Sequence, residues 1–329
     1  MPFRRGYIDE IEEIRERTGH PNWDNGITKL FLLSQRVQSL ETDGEELGYY
    51  PVAAIAAIES YFRWEIRRLV DSGDSRYVNN VRIDRLQLKV DHEVLFALHG
   101  KRIAVGELIA HSVRLSSIEA IGETMSQLVG CDFFALVKDA RDPRERREQG
   151  DNAPRVLDSV DETFRVLKRA FEVRNIICHE AHLWSPANIP AIKQICTECY
   201  QFARASQYAI GFHRSPDAPL TLEESFLAAN TRVKSLNKEM SHLENEIARV
   251  LPSPVRETFR GMQDAWRNFV EKQGWFYASQ EMNGNRGALY EKLVAEELGR
   301  ARLTELKTLK KANAPTVDSN AAPSELDLG

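Results

Sequence analysis

Apolar residues recur along almost the whole chain at intervals of three and four, the spacing that lines one face of a helix. Val160, Phe164, Leu167 and Phe171 form one such stripe, and Val166, Ala170, Val173 and Ile177 form a second beside it. Ile55, Phe62, Ile66 and Leu69 mark an earlier helix that stops before Ser72-Gly73, where glycine is a natural terminator. Further helical stretches centre on residues 106–110 and 118–121, and another covers residues 190–213. Only Leu86-Gln87-Leu88-Lys89-Val90 alternates, as a short strand or an irregular turn would. The pattern predicts an all-α protein: a helical bundle followed by a three-helix, hairpin-type module.

Two prolines in the polar stretch His213-Arg214-Ser215-Pro216-Asp217-Ala218-Pro219 separate the bundle, residues 1–213, from the module, residues 214–311. Thr221 and Glu224 have the spacing of a capping box. Beyond them Leu222, Phe226, Ala229, Val233, Leu236, Met240, Leu243, Ile247 and Val250 recur in alternating steps of four and three. Ser253-Pro254 supplies a cap and a first-turn proline to a second helix with the seam Val255, Phe259, Met262, Trp266 and Phe269. Two seams joined by a tight turn predict an antiparallel hairpin, with a third helix over residues 287–310 packed across it. Residues 312–329, rich in Ala, Pro, Ser and Asp, are expected to be disordered. Within the bundle, the mixed charges from Lys138 to Glu148 read as an exposed loop, with an RNA-binding arm as the alternative.

A length of 329 residues suits two domains that each bury a core. The net charge of −5 argues against wholesale coating of nucleic acid, so any RNA contact must come from a local basic patch. The first residues run straight into an acidic amphipathic stretch without the pattern of a secretory signal. No apolar run approaches the roughly 20 residues of a membrane span. The four cysteines, Cys131, Cys178, Cys196 and Cys199, leave the last 130 residues without any and make no disulfide framework. A cytoplasmic protein with no membrane contact is expected.

Arg174 projects between the two stripes of the 160–177 helix, where leucine would serve the core better. An unpaired buried charge costs on the order of several kcal/mol, so a partner or a task is expected. The bland reading pairs Arg174 with Glu59 or another acid and leaves His179 to cap the helix end. The functional reading is metal-independent cleavage of RNA, which supplies its own 2′-hydroxyl nucleophile. Histidine suits proton transfer near neutrality, and the planar fork of arginine suits the developing charge on phosphorus. Asn175 lies four residues before His179 on one polar flank, and Lys168 lies seven before Asn175 on the same flank. Five residues from Arg174 to His179 amount to roughly 140° of rotation on an ideal helix. The two side chains converge only if the helix loosens or if a second copy completes the site.

The segment Arg174-Asn175-Ile176-Ile177-Cys178-His179, with a polar residue directly after the arginine, resembles the Arg-x4-His signature of HEPN domains. Val52-Ala53-Ala54-Ile55-Ala56-Ala57-Ile58-Glu59-Ser60-Tyr61-Phe62 resembles their early helix, with its acidic residue after an Ala/Ile run. The resemblance covers residues 25–213. It implies a HEPN-like bundle, endoribonuclease activity of toxin or phage-defence type without a cofactor, and a homodimer with two motifs in one cleft. Arg174 would be the transition-state cation, His179 the acid/base, Asn175 the orienting residue, Glu59 the tether and Lys168 a flanking cation. The competing expectation is a non-catalytic adaptor that binds a protein partner.

In the module, Met262-Gln263-Asp264-Ala265-Trp266-Arg267-Asn268-Phe269, Gly284-Asn285-Arg286-Gly287 and Gly299-Arg300-Ala301-Arg302-Leu303-Thr304-Glu305-Leu306 resemble the LprI-like lysozyme-inhibitor family over residues 222–311. Members are typically exported and disulfide-stabilised, whereas this segment has no cysteine. The resemblance therefore implies the fold, kept as a cytoplasmic binding or oligomerisation module. Trp266 reads as core, and Trp275, Phe276 and Tyr277 read as a partner surface. Cys196 and Cys199, with Cys178 and His182 on the preceding helix, form a weak Cys3His zinc candidate. Cys178 falls on the apolar stripe, so packing is the simpler expectation.

Overall fold

The computed structural model describes residues 7–18, 25–41, 45–81, 92–100, 102–179, 188–280 and 284–313. The alternating segment 86–90, His182 and the tail beyond residue 313 lie outside them. Two compact units meet between Pro216 and Asp217, just beyond the boundary expected from the prolines. Both are built of helices. Among the described residues the only extended pairing is one isolated antiparallel bridge between Arg141 and Arg155. Among the described residues no helix is long and apolar enough to cross a membrane.

The first unit contains α1 (Tyr7–Thr18), α2 (Asn25–Arg36), α3 (Tyr49–Asp71), α4 (Ser75–Val78), α5 (His92–His99) and α6 (Val105–Ser112). It continues through α7 (Ile118–Val129), α8 (Phe133–Lys138), α9 (Pro143–Gln149), α10 (Val160–His179) and α11 (Ile189–Arg214). α3 is the hub, packed by α2, α6, α10 and α11. Its Ala-rich first half lets neighbours approach closely, and its second half carries the large residues Tyr61, Phe62, Ile66 and Leu69, all buried. Phe62 meets Phe133 of α8 edge-on at 5.9 Å and Phe202 of α11 at 5.8 Å. Phe202 in turn meets Phe164 of α10 at 6.1 Å. Each such contact adds about 0.5–1.5 kcal/mol beyond the area it hides. The helix ends are fixed locally: Ser117 accepts from Ala120 N at 3.1 Å, and Gly130 closes α7 at φ 75°.

The charge run at 138–148 is exposed in part, as its composition suggested, but folds as a helix from Pro143 rather than a loop. Asp142 caps α9, accepting from Arg144 N at 2.9 Å, with Pro143 in the first turn. Arg141 is largely buried and bonds Ala153 O at 2.9 Å and Asp139 at 2.7 Å. Arg146 stacks 3.7 Å over the Phe212 ring of α11. Arg141 and Arg146 are thus held against the bundle, while Arg144, Glu145, Arg147 and Glu148 of α9 stay exposed. A guanidinium over a ring face gains about 0.5–1 kcal/mol at such a partly exposed site.

The second unit contains α12 (Leu222–Val250), α13 (Ser253–Gln280) and α14 (Gly284–Ala312). Thr221 caps α12 by accepting from Glu224 N at 3.1 Å, and Glu224 reaches back to Leu220 N at 2.7 Å. The expected hairpin is corrected in one respect. α14 packs along both α12 and α13, while α12 and α13 make few contacts with each other. The face of α13 differs accordingly. Phe259, Gln263 and Gly274 are buried, whereas Met262 and Phe269 of the expected seam are exposed. Two features turn this face towards α14. Arg302 donates to Gln263 Oε1 at 3.0 Å, and Gly274 lies so close to Glu291 that a Cβ would sit 2.9 Å from its side chain.

Candidate functional site

The two apolar stripes of α10 are filled from within the chain. Val166, Leu167, Ala170, Phe171 and Val173 are buried in the main core, with Phe164 and Ile177 packed against it. The arc is covered mainly by α3 and α11, so most of it is not free to serve as an interface. Arg174 projects from this arc towards α3. Its Nη2 donates to Glu59 Oε1, and its Nη1 donates to Asn175 Oδ1 at 3.0 Å. The Arg174 and Glu59 side chains are 21 % and 25 % exposed. The guanidinium is therefore neither unpaired nor sealed off. Its two terminal nitrogens are held by Glu59 and Asn175, and a minor part of its surface faces solvent.

Asn175 differs from the expectation in its partner. It is exposed, and its amide oxygen is engaged by Arg174 rather than by the imidazole of His179. His179 is the last residue of α10 and is exposed. Lys168 is exposed on the same flank, 3.7 Å from Glu119 of α7. Arg174, Glu59 and Asn175 are thus brought together, whereas Lys168 is engaged elsewhere.

Arg63 was missed by the sequence reading. One turn beyond Glu59 on α3, it donates to the carbonyls of Ala110 and His111 at the end of α6. Burial lowers its pKa, and the charges of Glu59 and Glu10 work against that. Glu59 consequently shares its negative charge between two arginines. The Glu59/Arg63 spacing of four was the available signal.

The cysteines do not assemble. Cys178 is exposed, contrary to its expected place on the apolar stripe, because the stripe ends at Ile177 and the helix turns Cys178 outward. Cys196 and Cys199 are buried in the core of α11. Burial pushes the Cys196 thiol up to about 12 and Cys199 well above the ordinary range. Such thiols resist becoming the thiolates that zinc requires. Among the described residues no three His, Cys, Asp or Glu side chains come together as a metal site. No protein-family model, curated protein or solved structure matches this chain.

Proposed function

We propose that this protein is a metal-independent endoribonuclease of toxin or phage-defence type, acting in the cytoplasm as a homodimer. The observation that carries the reading is the Glu59–Arg174–Asn175 clamp, which fixes a partly exposed guanidinium five residues before an exposed His179. In the reaction the 2′-oxygen attacks the adjacent phosphorus and the bond from phosphorus to the 5′-oxygen breaks. The products are a 2′,3′-cyclic phosphate and a 5′-hydroxyl. His179 takes the proton from the 2′-hydroxyl or returns one to the 5′-oxygen. Arg174 neutralises the charge gathering on the phosphoryl oxygens. Asn175 holds the guanidinium in plane, and Glu59 fixes its reach. Arg63 offsets part of the Glu59 charge, so the Arg174 guanidinium is less fully neutralised towards a phosphodiester. The HEPN resemblance of the same residues points the same way.

A second reading, a non-catalytic adaptor, draws on the exposed Trp275, Phe276 and Tyr277 of α13. One assay separates the two. Purified protein in EDTA is expected to cut RNA and leave 2′,3′-cyclic phosphate ends, with activity abolished in His179→Ala. Intact RNA across a panel of cellular and phage transcripts would reject the nuclease in favour of the adaptor.

A further inference from the structure

The second unit hides little of its own apolar surface. Its buried core consists of Met240, Leu243, Ile247, Phe259, Leu303 and Leu306. On α13, by contrast, Val255, Met262, Phe269 and Phe276 remain 48 %, 54 %, 51 % and 53 % exposed. These four recur every seven residues. A spacing of seven drifts only about 20° per step on a straight helix, so the four side chains form one stripe along the helix. Beside them lie Thr258, Gly261 and Ala265, all small and exposed. A Cβ added at Gly261 would meet nothing within 4 Å. α14 covers the neighbouring face of α13, and α12 contributes few contacts. The one charge in the stripe is Lys272.

We propose that a second copy of this chain docks here, α13 against α13, antiparallel about a two-fold axis between residues 263 and 264. The stripe complements itself in that register. Met262 faces Ala265 of the other copy, and Phe269 faces Thr258, so each large side chain fills the space over a small one. Symmetry makes every such contact occur twice. The parallel alternative sets Phe269 against Phe269 and brings the two Lys272 ammonium groups side by side. In the antiparallel register Lys272 lies over Val255, its aliphatic stem on the apolar surface and its charge in water.

The area is of the right order for such a pair. A half-exposed phenylalanine leaves on the order of 100 Å² uncovered. Four positions from two copies then supply roughly 800 Å², before the flanking small residues are counted, against about 1,200 Å² at the lower end of specific interfaces. The pairing rests on α13 alone and does not depend on the nuclease reading.

The test uses the full chain carrying Ala265→Cys and a short bismaleimide, with peptide mapping to separate the new thiol from the exposed Cys131 and Cys178. A dimer linked through residue 265 of both copies is expected. Adding Phe269→Lys, at an exposed position that leaves helicity by circular dichroism unchanged, should reduce that link by about tenfold or more, the loss expected when a central apolar contact becomes a charge. The proposal fails if the 265–265 link is absent, if it survives Phe269→Lys, or if light scattering finds the unmodified chain monomeric at tens of micromolar.

Discussion

Glu59 does two things at once. It anchors Arg174, and it lies near enough to Arg63 for their charges to interact. An ion pair that is partly open to solvent contributes modestly to stability, about 1 kcal/mol or less. Its larger effect is on position, because a guanidinium without its tether samples several rotamers and meets a phosphate less often. Glu59→Gln is therefore expected to leave the melting temperature within a few degrees while RNA cleavage falls by about 10- to 100-fold. Rescue by Glu59→Asp should be partial, since the shorter acid keeps the charge and loses reach. A Glu59→Gln protein that cuts at the parental rate would show that the clamp is only a structural ion pair.

Helix existence was legible because the 3.6-residue period is written into the apolar positions. α11 falls within a residue of its expected bounds, and α10 begins at Val160 as its first stripe does. Partner choice was not legible, because an apolar seam says which face is buried and not what buries it. α13 shows this: its seam was read towards α12, yet Gly274 and the Gln263–Arg302 bond seat it on α14. The run at 138–148 was misread for a related reason. Arg141 pairs with Asp139 and Arg146 stacks on Phe212, which composition alone does not reveal. Close approach depends on glycine too. Gly26 lets α2 cross α3 so tightly that a Cβ would lie 2.7 Å from both Ala57 O and the Tyr61 Cβ. The Ala57 carbonyl belongs to a helix backbone and cannot swing away. Gly26→Ala is accordingly expected to destabilise the protein by about 1–3 kcal/mol through overpacking, despite the better helix propensity of alanine. Chemical denaturation measures this directly, and an unchanged midpoint would mean that α2 shifts freely on α3.

For the whole molecule, the site residues themselves pose a question of assembly. Arg174 is held against α3 by Glu59, while His179 stands exposed at the end of α10, roughly 140° further round the helix by the ideal pitch. A guanidinium and an imidazole that diverge in this way serve one phosphate most simply when each comes from a different subunit. The buried stripes limit where that meeting can occur. Most of the apolar arc is already covered by α3 and α11, so the face left to a partner is the polar flank with Lys168, Asn175 and His179. A two-fold axis beside this flank would set the Arg174 of one copy opposite the His179 of the other. Mixing Arg174→Ala chains with His179→Ala chains tests this, because each homodimer lacks one half of every site. Random exchange makes about half of the dimers mixed, and each mixed dimer regains one of its two composite sites. Activity should return to roughly a quarter of the parental value from two inactive stocks. Two inactive stocks that stay inactive after verified subunit exchange would place both groups of a site in the same chain, and so would a strictly monomeric protein that cuts RNA.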